Sequence, residues 1–192
     1  MFAVAIVAIA SIAATSYRAI DWRVDAAHSN VQFKVTHFFT PVTGTFDSYD
    51  AKVSFDPNNL DASSIDVSIQ VASVNTNNER RDGHLKTGDF FDAEKHGTIT
   101  FKSNSIESKG GKDYVAKGQL TIKGITKDIE LPFTLLGIRE NAPREGNQVA
   151  GIVAETKISR TDYTVGTGNF AADTVIGDEV TISLSLELHA PM

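Results

Sequence analysis

A chain of 192 residues with 41% hydrophobic and 22% charged side chains has the size of one domain and the composition of a folded globular protein, neither disordered nor many times membrane-spanning. Its 24 acids against 18 bases give a formal charge of −6, and with no basic block to track a phosphate backbone the sequence argues against a nucleic-acid partner. It has no cysteine, so thiol nucleophiles, disulfide frameworks, thiolate zinc sites and lipid attachment through cysteine are excluded.

The first residues read MFAVAIVAIASIAATS. The apolar run from Phe2 to Ala14 has the length and the small-residue ending of a signal-peptide core. It falls short of the roughly 20 residues that a spanning helix needs. Residues 1–16 are therefore expected to be an export signal, cleaved near Ala13, Ala14 or Ser16. Only the amino terminus supplies positive charge ahead of it.

From Trp22 onward the dominant period is two, which sends alternate side chains to opposite faces of a strand. SNVQFKVT points Val31, Phe33 and Val35 one way. SSIDVSIQV does the same with Ile65, Val67, Ile69 and Val71, and TITFKS with Ile99 and Phe101. DYVAKGQLTIKG aligns Tyr114, Ala116, Leu120 and Ile122. KDIELPFTLLG aligns Ile129, Leu131, Phe133 and Leu135, with Pro132 on the other parity, where its missing N–H predicts an edge or a bulge. DEVTISLSLELH is the cleanest run, from Val180 to Leu188.

Three further runs, around Trp22 to Val24, Gly44 to Phe55 and Val149 to Ile158, bring the expectation to about eight or nine antiparallel strands. They are joined by turn-forming DPNN, SKGG and KGIT. Each strand has one apolar face, so the sheet must close on itself or pack on another sheet. A sandwich and a barrel fit the period equally. The 11 phenylalanines, concentrated near loops, favour a barrel whose interior holds a small ligand. One domain spanning residues 21–190 is expected.

The long interruption is NNERRDGHLKTGDFFD, from Asn77 to Asp92. Asn77 or Asn78 is a suitable N-cap and Glu79 suits the first turn of a helix, which Gly83 and Gly88 keep short. Arg80, Arg81 and Asp82 are expected to fasten this segment to the barrel-end loops while Leu85, Phe90 and Phe91 turn inward. Composition alone leaves a lid and a structural plug equally open.

Catalytic patterns are weak. His84 with Asp82 resembles a base and its orienting acid, but no G-x-S-x-G elbow or other marked nucleophile accompanies them. None of His28, His37, His84, His96 and His189 pairs at a familiar zinc spacing, so no metal site is expected. Asp89 and Asp92 read as solvated loop residues, and GTGNF at 166–170 lacks the lysine and helix of a phosphate loop.

The ordered landmarks HSNVQFKVTHFFTPVTGTF, RDGHL with FFD, TITF, GQLTIKGITKDIELP and ISRTDYTVG resemble the YceI family of polyisoprenoid-binding proteins from about Asp25 to Leu188. One departure is Tyr163-Thr164, where many relatives carry phenylalanine-glycine. The resemblance implies an all-β, eight-stranded antiparallel, lipocalin-like barrel with the short helical insertion as its lid. It implies a periplasmic address and an interior that holds a long isoprenoid chain, either an isoprenoid quinone tail or a polyprenyl lipid. It implies no catalysis and no cofactor.

Strand parity and nearness to the rims then nominate the ligand-binding lining. The candidates are Phe33, Val35, Phe38 and Phe39 from the first run, Phe46 and Ile69 after it, and Leu85, Phe90 and Phe91 from the insertion. Phe101, Leu120, Phe133, Phe170 and Leu184 complete the set. A lipid-modifying enzyme using His37, Asp82, His84 and Arg160 is one rival, and an interaction or stress protein with a filled core is the other. Transient membrane contact and a homodimer are compatible with the pattern.

Overall fold

A computed structural model describes residues 18–171 and 174–192 of the chain; the expected signal peptide at residues 1–16 lies outside them. The strands are β1 (Asp21–Val24), β2 (Asn30–His37), β3 (Thr40–Phe46), β4 (Tyr49–Ser54), β5 (Ser64–Gln70) and β6 (Val74–Asn75). After the helix α1 (Glu79–Leu85) come β7 (Thr98–Gly110), β8 (Asp113–Ile122), β9 (Ile125–Glu140), β10 (Asn147–Ser159) and β11 (Ile176–Pro191).

These segments form eight staves of one closed antiparallel barrel. β1 and β2 lie end to end along β11, β3 and β4 lie end to end beside them, and β5 and β6 follow in the same way. These three interrupted staves and the five continuous ones from β7 to β11 complete the ring, which closes where β1 and β2 meet β11. Closure removes the sheet edges that an open meander would expose.

Pro132 lies where the sequence pattern requires an edge. The β9–β10 register ends at Phe133 opposite Ala154, so the N-terminal half of β9 has no ladder partner on that side. There the Thr156 hydroxyl donates to the Glu130 carbonyl at 3.1 Å.

The barrel has two unlike ends. At the lower end, Phe55 packs edge-on against Tyr114 and Phe133 at ring separations of 5.2 and 5.5 Å, and those two rings stack on each other. The Trp22 indole donates to the Phe55 carbonyl at 2.9 Å, satisfying the one polar atom of a buried ring. Small residues across from them, Ala116, Ala150 and Ala154, are buried and let the aromatics fill the space. The upper end carries the Phe38-Phe39 hairpin tip, residues 76–97 with α1, the Lys123-Gly124 turn and the loop residues 160–171.

Candidate functional site

The upper half of the barrel encloses a cavity of about 640 Å³, within the ordinary range for a small-molecule site. Its walls come from the inward parity of the strands. Val31, Phe33 and Val35 line it from β2, Val67 and Ile69 from β5, Ile99 and Phe101 from β7, Leu120 and Ile122 from β8. Ile129 and Leu131 of β9, Ile158 of β10, and Ile182 and Leu184 of β11 close the ring. Phe33 lies flat across Gly44, where a side chain would collide with its ring, so glycine at that position sets how far Phe33 reaches into the cavity.

The roof is the insertion. The Asn78 side chain accepts from the Arg81 N–H and caps α1, as its residue type predicts. Leu85, Phe90 and Phe91 line the cavity from above, and Phe46 lies edge-on to Phe91 at 5.9 Å. The segment therefore covers the cavity and supplies part of its lining.

Its polar residues fasten it by a different route from the expected one. Arg81 donates from Nε and Nη2 to the hydroxyl and carbonyl of Thr76, and Asp82 accepts from the Thr76 N–H and hydroxyl. Both thus tie α1 to the end of its own stave rather than to another loop. The cross-loop ties come from Lys123, whose Nζ donates to the carbonyls of Gly88 and Thr164, and from the Asp89 carbonyl, which accepts from the Gly166 N–H. Arg80 is exposed and lines the cavity without helping to fasten the helix.

Arg160 organises the facing loop. Its side chain is buried, and its N–H groups donate to the carbonyls of Gly177, Val165, Gly166, Phe170 and Ile176. This engages all five donors of a guanidinium. Gly166 has a φ of 63° and packs against both Arg160 and Phe90, a position that a side chain would disrupt twice over. Burial raises the Asp178 carboxyl, but hydrogen bonds from Ser159 and Thr161 and the nearby Arg160 charge outweigh it and hold the group below its usual range. Burial also raises the Tyr163 phenol, with Asp162 adding to the effect.

The nominated residues divide by depth. Phe33, Val35, Phe46, Ile69, Leu85, Phe90, Phe91, Phe101, Leu120, Phe170 and Leu184 line the cavity. Phe133 points inward on the expected parity but lies in the lower aromatic cluster, below the cavity. Phe38 and Phe39 stand 54% and 97% exposed at the hairpin tip: they are at the rim, as their position predicts, but outside the lining, because the turn after His37 projects them into solvent. The nomination also omitted Ile99, Ile122, Leu131 and Ile182, whose inward parity is plain in the sequence, and Tyr163 and Val165, whose loop carries no period at all.

Of the four polar residues of the enzyme reading, His37, His84 and Arg160 line the cavity, and each is engaged by neighbours. Asp82 is bound to Thr76. His84 Nε2 is 3.0 Å from Asp89 Oδ2, and its ring lies edge-on to Phe90 and Phe170, an arrangement that stacks the lid against the loop residues 160–171. His37 lies edge-on to Phe38 at the rim, and Arg160 holds backbone carbonyls.

This barrel, half plugged and half hollow under a helical roof, has counterparts of known sequence and structure. A UPF0312 protein of Vibrio cholerae is 34% identical over 166 residues, covering 85% of this chain and 86% of its own length. The crystal structure of Burkholderia cenocepacia BcnA superposes with a TM-score of 0.76 at 30% identity, covering 87% of this chain and 99% of that one. A polyisoprenoid binding domain from Saccharophagus degradans shares the fold at a TM-score of 0.63 and 18% identity, covering 90% of this chain and 99% of its own. With the YceI-like domain matched from residue 22 to residue 188, almost the whole barrel with both its ends, the chain belongs to the YceI-like family.

Proposed function

We propose that the upper cavity binds the chain of a long polyisoprenoid, a polyprenyl lipid or an isoprenoid quinone, and that the protein carries, stores or shields it in the periplasm. The observation that carries this reading is the apolar cavity of about 640 Å³. Its likeness in fold to the polyisoprenoid binding domain from Saccharophagus degradans supports it.

An apolar cavity of about 150 Å³ accepts one benzene; by proportion, 640 Å³ has room for roughly 25 carbons, or about five isoprene units. At about 0.8 kcal/mol per buried CH₂, each unit contributes about 4 kcal/mol of gross transfer energy. Lost chain and rigid-body freedom reduces the net far below the sum. Selection is then by length and shape, since one methylene more or less discriminates weakly in an apolar site.

The exposed Phe38-Phe39 tip gives the barrel mouth a place to touch a lipid surface. Phe38 adopts φ of 51°, a backbone region costly for an aromatic residue, and holds a greasy side chain out in solvent near the cavity rim. Contact with a membrane there would bring the mouth to the source of the lipid.

Native mass spectrometry of the protein purified from bacterial membranes and periplasm tests the reading. A co-purifying isoprenoid, or uptake of an added polyprenyl alcohol, is the expected result. Repeated absence of both overturns it.

A further inference from the structure

Outside the cavity, at the seam where the barrel closes, two histidines and two carboxylates from opposite ends of the chain face one another. We propose that Asp25, His28 and Glu187 form a binding site for a divalent transition metal ion of the zinc class, with His189 paired to Glu187 beside it.

The backbone builds this arrangement. β1 ends at Val24, and the chain makes one 3-10 turn, Ala26–His28, before β2 resumes along the same edge of β11. Asp25 caps that turn: its Oδ1 accepts the Ala27 N–H at 2.9 Å, which leaves Oδ2 free to face the seam. The Asp25 N–H donates to the Glu187 carbonyl at 2.8 Å, and the Glu187 N–H donates to the Ser29 hydroxyl at 2.9 Å, so the turn is locked onto β11. Glu187 and His189, two residues apart on that strand, project from the same face.

The donor atoms are close enough to share one ion, and without it they pair as ordinary hydrogen bonds. Ligands about 2.1 Å from a tetrahedral zinc lie about 3.4 Å from one another. His28 Nδ1 is 3.1 Å from Asp25 Oδ2 and 3.9 Å from Glu187 Oε1; His189 Nε2 is 3.6 Å from Asp25 Oδ2 and 2.9 Å from Glu187 Oε1. The two His28 separations lie on either side of the tetrahedral edge, and water completes the shell of a three-ligand site. The ligand atoms of Asp25, His28 and Glu187 all lie within 4.8 Å of one another, so two carboxylates crowd a space that a cation would neutralise.

One imidazole with two carboxylates suits a borderline first-row ion over calcium or magnesium, which take oxygen alone. The His28 side chain is mostly exposed, giving an ion a path in. Beside the cluster, the enclosed Tyr49 hydroxyl has no hydrogen-bond partner of good geometry among the described residues, and Ser29 and Asp25 are both close enough to influence it. A bound ion would clip the start of the barrel to its last strand across a sequence separation of about 160 residues.

The test is calorimetric titration of the tag-free full chain with Zn²⁺, together with the visible absorption of the Co²⁺ form. The expected result is one equivalent bound and a tetrahedral Co²⁺ spectrum. His28→Ala, Asp25→Asn and Glu187→Gln should each weaken binding by about tenfold or more, while His37→Ala and His96→Ala bind like the parent. His28 is at the surface, so its variant folds. No stoichiometric uptake by the parent chain, or uptake unchanged in both His28→Ala and Glu187→Gln, overturns the proposal and leaves the cluster as an ion-pair network.

Discussion

The two halves of this barrel are built from the same alternating strands and yet do opposite things with their inward side chains. Below, Phe55, Tyr114 and Phe133 meet in the middle, with Trp22 tied to the Phe55 carbonyl. Above, Phe33, Phe101, Leu120 and Leu184 stop short of one another and leave space under a roof of Leu85, Phe90 and Phe91. The difference lies in what closes each end. A short turn at the bottom brings large rings to the axis, whereas the top is spanned by a separate segment held off the strands by its own hydrogen bonds. A plug gains stability from contact; a roof gives some of that up in exchange for volume.

The largest expected effect falls on the plug. Phe55→Ala removes a ring that is 1% exposed and should cost about 3–5 kcal/mol in urea unfolding. Leu184→Ala, at the cavity wall, should cost clearly less, since it enlarges a space that already exists. Equal losses would erase the distinction between the halves.

Next comes the anchor of the loop that faces the roof. Arg160→Met leaves several buried carbonyls without a donor and should cost about 3 kcal/mol or more, with hydrogen exchange rising first in residues 160–171. If exchange there is unchanged, Arg160 does not hold the loop. Thr164 has a φ of 53°, which glycine adopts freely; Thr164→Gly should therefore raise stability by about 1 kcal/mol, measurable by the same unfolding curve.

Acid should loosen the roof before the plug. The folded-state Asp178 carboxyl is held below its ordinary value, so its contribution is fully present above the usual carboxylate range and is lost as pH falls through the lowered folded value. Exchange at Thr161, whose N–H donates to Asp178 Oδ1 at 3.1 Å, should report this, and Asp178→Asn should abolish the pH step. The smallest effect on stability belongs to the tip. Phe39→Ser should change it by less than about 0.5 kcal/mol while lowering sedimentation with phospholipid vesicles; vesicle binding that stays constant would dissociate the tip from membrane contact.

Much of this contrast is legible in the sequence, and the part that is not has a definite cause. Period two gave the inward set of β2, β5, β8, β9 and β11, and Asn78, Leu85, Phe90 and Phe91 announced a capped helix with a greasy underside. Depth was hidden. Parity says that Phe133 and Leu120 both face inward, but only the pairing of strands places one in the plug and the other at the cavity. Loops were hidden too: Phe38 and Phe39 follow an apolar strand and were read as its continuation, and nothing local marks Tyr163 as lining. The Asp25, His28, Glu187 and His189 cluster was invisible because its halves are distant in sequence and meet only when the barrel closes.

The most direct measurement of the central claim is a binding titration with all-trans polyprenyl alcohols of increasing length, run on the parent chain and on Leu184→Trp, which fills the cavity from its wall. The parent should bind more tightly with each added isoprene unit up to about five units and then level off, and the folded tryptophan variant should lose most of that gain. Binding that ignores chain length, or that survives intact in Leu184→Trp, would contradict the account.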